Sequence, residues 1–463
     1  MPVEERGLGW KQTQDVARAR RLGNLSTPEG VQKLQRALQT KAKEEPGFRF
    51  YLLYDKIYRT DVLQHAYACC RSRGGAAGVD GERFEDIEAY GVDGWLGELA
   101  QSLRSERYAP RAVKRVYIPK PNGTQRPLGI PAIRDRVVQT AAMLILGPVF
   151  EIDLPPEQYA YRANRNALQA VQRVHKLINT GYRQVIDTDL SGYFDTIPHA
   201  ELMRCVARRV VDRRVLHLIK MWLVAPVEED GGRGHRKRTT RSRDEKRGIA
   251  QGSPISPLLA NLYMRRFIVG WRRLGHERTF DARIVNYADD LVICCKRQPE
   301  RALAEMRQMM QRLKLTVNEE KTCIRRVPAE RFDFLGYTFG RCYSERDGHA
   351  YLGTWPSKKS LRRVQQLIHQ QTAARMVLVD TGIIVERLNR MLRGWAAYFC
   401  SGPVSKAYRS LDRYTAYRLR RWLCRKHKVR YGGLRAFPYD YLYDELHLLQ
   451  LCSLTRNLPW AKV

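Results

Sequence analysis

The segment "RIVNYADDLVICC", Arg283 to Cys295, sets two carboxylates inside an otherwise apolar hairpin. Ile284, Val285 and Tyr287 lead in; Leu291, Val292, Ile293 and two cysteines lead out. Burying one carboxylate already costs several kcal/mol unless it is paired or bound to a cation. A chain that sets Asp289 beside Asp290 here must fold so that positive charge reaches both. No other stretch limits the fold as much.

A second acidic segment, "VIDTDLSGYFDTIPH", is the natural companion. In a strand, Asp187 and Asp189 point to one face, which Val185 shares. Either of them beside Asp289 makes a like-charge cluster that is untenable without cations. Hard divalent ions, Mg²⁺ above all, take oxygen ligands and keep water and substrate phosphates. Two such ions about 3.5–4 Å apart can serve the attacking and leaving oxygens of phosphoryl transfer. Adjacent strand residues face opposite ways, so Asp290 joins Asp289 as a ligand only if the turn breaks that alternation.

Length and charge narrow the rest. At 463 residues the chain exceeds one ordinary core, and two to four domains are expected. A net charge of +34 would repel itself unless it faced a polyanion, so RNA or DNA is the leading partner and an anionic membrane the weaker one. No apolar run reaches the roughly 18 residues of a membrane span. The N-terminus, "MPVEERGLGWK", lacks a signal-peptide core, and Glu4 and Glu5 argue against an organellar presequence. Ten cysteines without a C-x-x-C read as reduced thiols of a cytosolic protein.

Along the chain, residues 1–110 read as mostly helical, broken by the glycine-rich "RSRGGAAGVDGERFEDI". "AVKRVYIPKPNGTQRPLGIP" reads as two strands joined by a Pro-Asn-Gly turn. Helices follow around 134–150 and 166–179, then a buried strand "RQVIDTDL" and an amphipathic helix through "HAELMRCVARRVV". "GGRGHRKRTTRSRDEKRG" reads as a basic connector into a loop and helix, "IAQGSPISPLLANLYMRRFIVGW". The alternation of strands and helices gives an α/β or α+β class with a central sheet. After about Pro356 the strands stop. From Lys358 to Arg435 there are 19 Lys+Arg against 3 Asp+Glu. Val385, Leu388, Leu392, Trp395 and Phe399 recur there at helical spacing, with Arg387, Arg390 and Arg393 on other faces.

These blocks together resemble bacterial group II intron-encoded reverse transcriptase/maturases. The likeness runs from about Gly74 to the C-terminus. "YADD", "DTDLSGYFD" and "RGIAQGSPISPLLANLYM" resemble the palm, "YIPKPNGTQRPLGIPAIRDRVVQ" the fingers, and "LNRMLRGWAAYF" the maturase thumb, or domain X. "QYAYRANRNALQAV", "RLKLTVNEEKT" and "FDFLGYTFG" resemble further blocks in the same order. The chain departs from the family at Ala250, where a proline is common, and at "AYRANRN", where "GFRPGRS"-like sequences are common.

The resemblance implies an α+β right-hand polymerase. A helical N-terminal extension at 1–110 would precede fingers and palm at 111–345. A basic thumb at 346–435 and a tail at 436–463 without an endonuclease would follow. It implies two Mg²⁺ ions held by Asp189, Asp289 and Asp290, with Asp187 competing with Asp189. Lys321 would give a proton to the leaving pyrophosphate. Lys120, Arg126, Gln251 and Gly252 would meet the incoming nucleotide, and Tyr193 or Phe194 would pack under its sugar. Arg236, Lys237, Arg238, Arg387, Arg390, Arg393, Arg420, Arg421, Lys426 and Lys428 would grip RNA. The implied partners are structured intron RNA, an RNA template with a DNA primer, dNTPs and target DNA, in a bacterial cytoplasm. A splicing-only protein, a domesticated relative in defence or repair, and an RNA-templated RNA polymerase are the rival readings.

Overall fold

The computed structural model describes residues 25–119, 125–230, 236–344, 347–430 and 432–457. Lys120 and the side chain of Arg236 lie outside the described residues. The chain forms two compact units. The first takes 25–166 and 186–324 of the described residues, and the second 167–185 and 325–457.

The first unit is built around helix α5 (Ile133–Glu151), preceded by α1 (Glu29–Glu44), α2 (Thr60–Arg73), α3 (Phe84–Tyr90) and α4 (Val92–Arg104). Val137, Val138, Ala141, Ala142, Ile145, Leu146 and Val149 are buried on several faces of α5, so it has no solvent stripe and must be enclosed. Helices α1 and α2 pack against it. Arg209, 2 % exposed, fastens this layer: it makes a two-pronged ion pair with Asp153 and donates to the carbonyls of Ala42, Glu45 and Phe48.

Strands β1 (Val113–Pro119) and β2 (Gln125–Ile130) pair antiparallel, as expected of two strands joined by a Pro-Asn-Gly turn. They belong to a sheet of order β2-β1-β4-β5, with β4 at Val227–Asp230 and β5 at Arg236–Thr239. The basic connector therefore contains a strand. Its register sets Glu228 opposite Arg238, Glu229 opposite Lys237 and Asp230 opposite Arg236.

The second sheet has the order β6-β7-β3-β8, with β3 at Gln184–Asp189, β6 at Ala282–Tyr287, β7 at Asp290–Cys295 and β8 at Cys323–Arg326. Helices α7 (Tyr193–Thr196), α8 (His199–Ala207), α9 (Arg213–Leu223), α10 (Ser256–Arg273) and α11 (Pro299–Arg312) complete the unit. Asp212 caps α9 by accepting from the N–H groups of Arg214 and Val215.

In the second unit, α6 (Ala167–Asn179) lies with β11 (Ala350–Pro356), and His175 Nδ1 is 2.8 Å from Thr354 Oγ1. Strand β11 joins β10 (Tyr337–Tyr343) and β9 (Phe332–Phe334) in a three-stranded antiparallel sheet. Helices α12 (Lys358–Gln371), α13 (Thr381–Tyr398) and α14 (Ser405–Lys426) follow. The apolar series expected on α13 is buried from Val385 through Leu388, Leu392 and Trp395 to Phe399. No disulfide links any of the ten cysteines, and no helix among the described residues is long and apolar enough to cross a membrane.

Candidate polymerase site

Tyr287 pairs with Asp290 at the last rung of the β6–β7 hairpin, which leaves Ala288 and Asp289 as a two-residue turn. Ala288 takes a left-handed φ of 58°, uncommon for a residue with a Cβ. The turn takes Asp289 out of the strand alternation, and Asp289 and Asp290 are both half-buried. Asn286, fully buried, donates from Nδ2 to the carbonyls of Ala288 at 2.9 Å and Asp290 at 3.2 Å. Its own backbone is paired on the open edge of β6: its N–H donates to the Glu157 carbonyl and its carbonyl accepts from the Tyr159 N–H. Gln158, also fully buried, donates to the Asn261 carbonyl, and Asn261 donates to the Ala160 carbonyl. The sequence reading missed this layer of amides. Three carboxamides within or beside apolar runs were its only signal.

Strand β3, the neighbour of β7, ends at Asp189. Along it Ile186 and Thr188 are buried while Asp187 and Asp189 are half-buried, so the two aspartates share a face. The Asp189 carbonyl accepts from the Asn318 N–H at 2.8 Å. Its Oδ2 accepts from Asn318 Nδ2 at 2.9 Å and from Lys321 Nζ at 3.2 Å. The Lys321 side chain is 65 % exposed, so this ion pair is weak and readily exchanged. Tyr193, four residues beyond Asp189, lies near Asp289: burial, then the Tyr263 and Asp289 charges, push its phenol well above the usual range.

Among the described residues no three His, Cys, Asp or Glu side chains are gathered into a group that could hold a metal ion. The donors nonetheless fit Mg²⁺ in kind, being carboxylate oxygens alone, carried on neighbouring strands and half-open to solvent.

The nucleotide-side residues gather on the loop before α10. Gly248 N–H donates to the Ile197 carbonyl and Ile249 N–H to the Phe194 carbonyl, which pins the loop to α7 and its exit. On its other side Gly129 N–H donates to the Gln251 carbonyl at 2.6 Å. Gln251 then bridges two charges, accepting from Arg126 Nε at 3.2 Å and donating to Asp195 Oδ2 at 3.2 Å. Gly252 has φ 113°, and a Cβ there would stand 2.4 Å from the Gly129 carbonyl oxygen. Its close approach is to the Gly129 backbone of strand β2. Tyr193 is 3 % exposed and its hydroxyl donates to the Ala260 carbonyl, so it belongs to the core; Phe194, at 7 %, packs edge-on against it.

Comparison with known proteins decides the family. Residues 118–339 match the family described as reverse transcriptase (RNA-dependent DNA polymerase), and 358–437 match the group II intron, maturase-specific domain. Protein YkfC of Escherichia coli is 32 % identical over 372 residues, 71 % of this chain and 93 % of YkfC. The chain belongs to the group II intron reverse transcriptase/maturase family. The putative COX1/OXI3 intron 1 protein of Saccharomyces cerevisiae is 25 % identical over 60 % of this chain. The group II intron-encoded protein LtrA of Lactococcus lactis is 29 % identical over 46 % of it. This chain spans 38 % and 34 % of those two relatives. It thus carries an RNA-dependent DNA polymerase region followed by a maturase domain.

Within the maturase domain, Arg387, Arg390 and Arg393 are exposed on α13, Arg390 paired with Glu386 one turn earlier. Arg413, Tyr417, Arg421 and Arg425 line one exposed face of α14, continued by Lys428. Arg421, Cys424, Arg425, Lys428, Val429 and Arg430 border an open groove of about 520 Å³. Two expected RNA contacts are corrected. Arg420 is 9 % exposed, donates to the Phe437 carbonyl at 2.8 Å and lies over the Tyr439 ring. Lys426 donates to the carbonyls of Val377 and Val379. Both hold the domain together.

Proposed function

We propose that this chain copies RNA into DNA from a DNA primer and uses its cationic surfaces to hold structured intron RNA, assisting splicing and mobility. The observation that carries the reading is the hairpin turn bearing Asp289, on a strand beside the one that ends at Asp189, in a chain of reverse-transcriptase family. Residues 111–345 would act as fingers and palm, 346–435 as thumb, and 1–110 as an RNA-binding extension. The fold would be a right-hand polymerase, at work in the bacterial cytoplasm.

Asp189, Asp289 and Asp290 would hold two Mg²⁺ ions. When bound, such ions favour attack of a primer 3′-oxygen on the α-phosphate and offset the charge of departing pyrophosphate. Lys321 stands on Asp189 through an exposed pair, so it can turn from the carboxylate toward pyrophosphate and give up a proton. Arg126, seated on Gln251, presents a planar fork suited to two phosphate oxygens, and Lys120 would add a second cation. Because Tyr193 is committed to the Ala260 carbonyl, Phe194 is the ring left to pack under the sugar and exclude a 2′-hydroxyl. Arg387, Arg393, Arg421 and Lys428 would contact RNA phosphates. Target DNA would share this surface.

Primer extension on an RNA template with dNTPs and Mg²⁺ tests the reading. Wild type extends the primer, and Asp289→Ala loses about a thousandfold in rate, as removal of several kcal/mol of charge stabilisation requires. A wild-type protein that binds RNA and extends nothing would leave splicing assistance alone.

A further inference from the structure

Asn286 occupies an unusual position for a polar side chain. It is fully buried, and its one Nδ2 group reaches carbonyls on both sides of Asp289, those of Ala288 and Asp290. A carboxamide has two donor hydrogens on one nitrogen. Both are thereby used, and the turn is clamped at the residue before and the residue after the carboxylate. Ala288 needs such a clamp, since its left-handed φ of 58° is uphill for alanine.

The clamp is itself held from behind. The Glu157–Tyr159 backbone pairs with Asn286 from the outer edge of the sheet, and Gln158 and Asn261 tie that segment to α10. The arrangement is costly. Asn286 Oδ1 and Gln158 Oε1 are buried and accept no hydrogen bond. An unmet buried acceptor carries a desolvation penalty that an apolar side chain of similar volume would avoid. Stability alone therefore does not account for amides at these two positions, whereas aim does: the donor end of Asn286 is what the turn uses, and that of Gln158 ties the segment behind it to α10.

We propose that Asn286 is the positioning residue of the metal-holding hairpin, its carboxamide fixing the turn so that Asp289 and Asp290 are presented together to a divalent cation, with Gln158 and Asn261 bracing it. This rests on the reading of Asp289 as a ligand. Asn286→Asp keeps size and shape but replaces the donor with a carboxylate that repels both carbonyls. Asn286→Ser is smaller and keeps one donor.

Mn²⁺ binding to the full-length chain, followed by the loss of the free-ion resonance signal, reads the effect without catalysis. Wild type should show a site that Asp289→Ala abolishes. Asn286→Asp should weaken it about tenfold or more and Asn286→Ser less, both with cooperative thermal unfolding retained. In primer extension, raised Mg²⁺ should restore most of the lost rate in the Asn286 variants and none in Asp289→Ala. Asn286 variants that bind Mn²⁺ like wild type, or that both lose cooperative unfolding, would overturn the proposal. A wild type with no site sensitive to Asp289→Ala would overturn the ligand reading, and the positioning role would fall with it.

Discussion

Asp135 is a buried carboxyl whose titration bears on stability. It sits in α5 at 2 % exposure, accepts from the Tyr108 hydroxyl at 2.7 Å and from the Arg111 N–H at 3.0 Å, and Tyr108 in turn accepts from Trp222 Nε1. Burial pushes its carboxyl up to about 6, against the opposing pull of those two hydrogen bonds. The unfolded chain releases this proton near 3.8, whereas the folded chain holds it until about 6. Between those values the folded state binds more protons, so its stability falls as pH rises and then levels off. The loss is on the order of 3 kcal/mol. Denaturant unfolding at pH 4 and pH 7 should therefore show a drop in wild type that is smaller by about that amount in Asp135→Asn. An equal drop in both would place the titration elsewhere.

At the level of elements, the loop before α10 is locked by two glycines that face each other. A Cβ on Gly252 would meet the Gly129 carbonyl oxygen at 2.4 Å, and backbone cannot withdraw as a side-chain tip can. Gly252→Ala should cost about 1–3 kcal/mol in stability and displace Gln251, lowering dNTP incorporation more than RNA binding. Hairpins and the α13 stripe were legible in the sequence because turn residues, apolar runs and helical spacing are local. The Gly129–Gly252 contact was not, since it joins residues far apart in the chain. The same limit hid the opposition of "VEED" to "RKRT", although two short runs of opposite sign were there to be paired. Helix α14 shows what phase decides. Arg420 and Arg421 are adjacent, yet one is enclosed beneath Tyr439 and the other is exposed. Arg420→Ala should lower stability by about 1.5–3 kcal/mol with RNA binding per folded molecule unchanged. Arg421→Ala should leave the melting point in place and reduce the salt slope of RNA binding by about 1.

For the molecule as a whole, the net charge of +34 is the quantity to explain, and residues 358–435 supply 16 of it. The surplus is not spread evenly over free surface. Lys237 and Arg238 stand across from Glu229 and Glu228, while Arg420 and Lys426 are held by carbonyls of their own domain. Arg387 and Arg393 on α13, Arg413, Arg421 and Arg425 on α14 and Lys428 at the groove are exposed cations, and these are the places for phosphates. Each phosphate contact releases condensed counterions, so six to ten contacts weaken binding by roughly 10³–10⁵ between about 50 and 200 mM salt. Binding of the full chain to a structured RNA should follow that steep line. Replacing Lys237 and Arg238 together by alanine should change the slope by less than replacing Arg421 and Lys428, which should lower it by about two, because Glu229 and Glu228 lie opposite the first pair in the β4–β5 register. A slope that responds equally to both pairs would mean that cross-strand acids do not screen β5. The β4–β5 hairpin would then count as a second RNA-gripping surface in addition to the helices of the maturase domain.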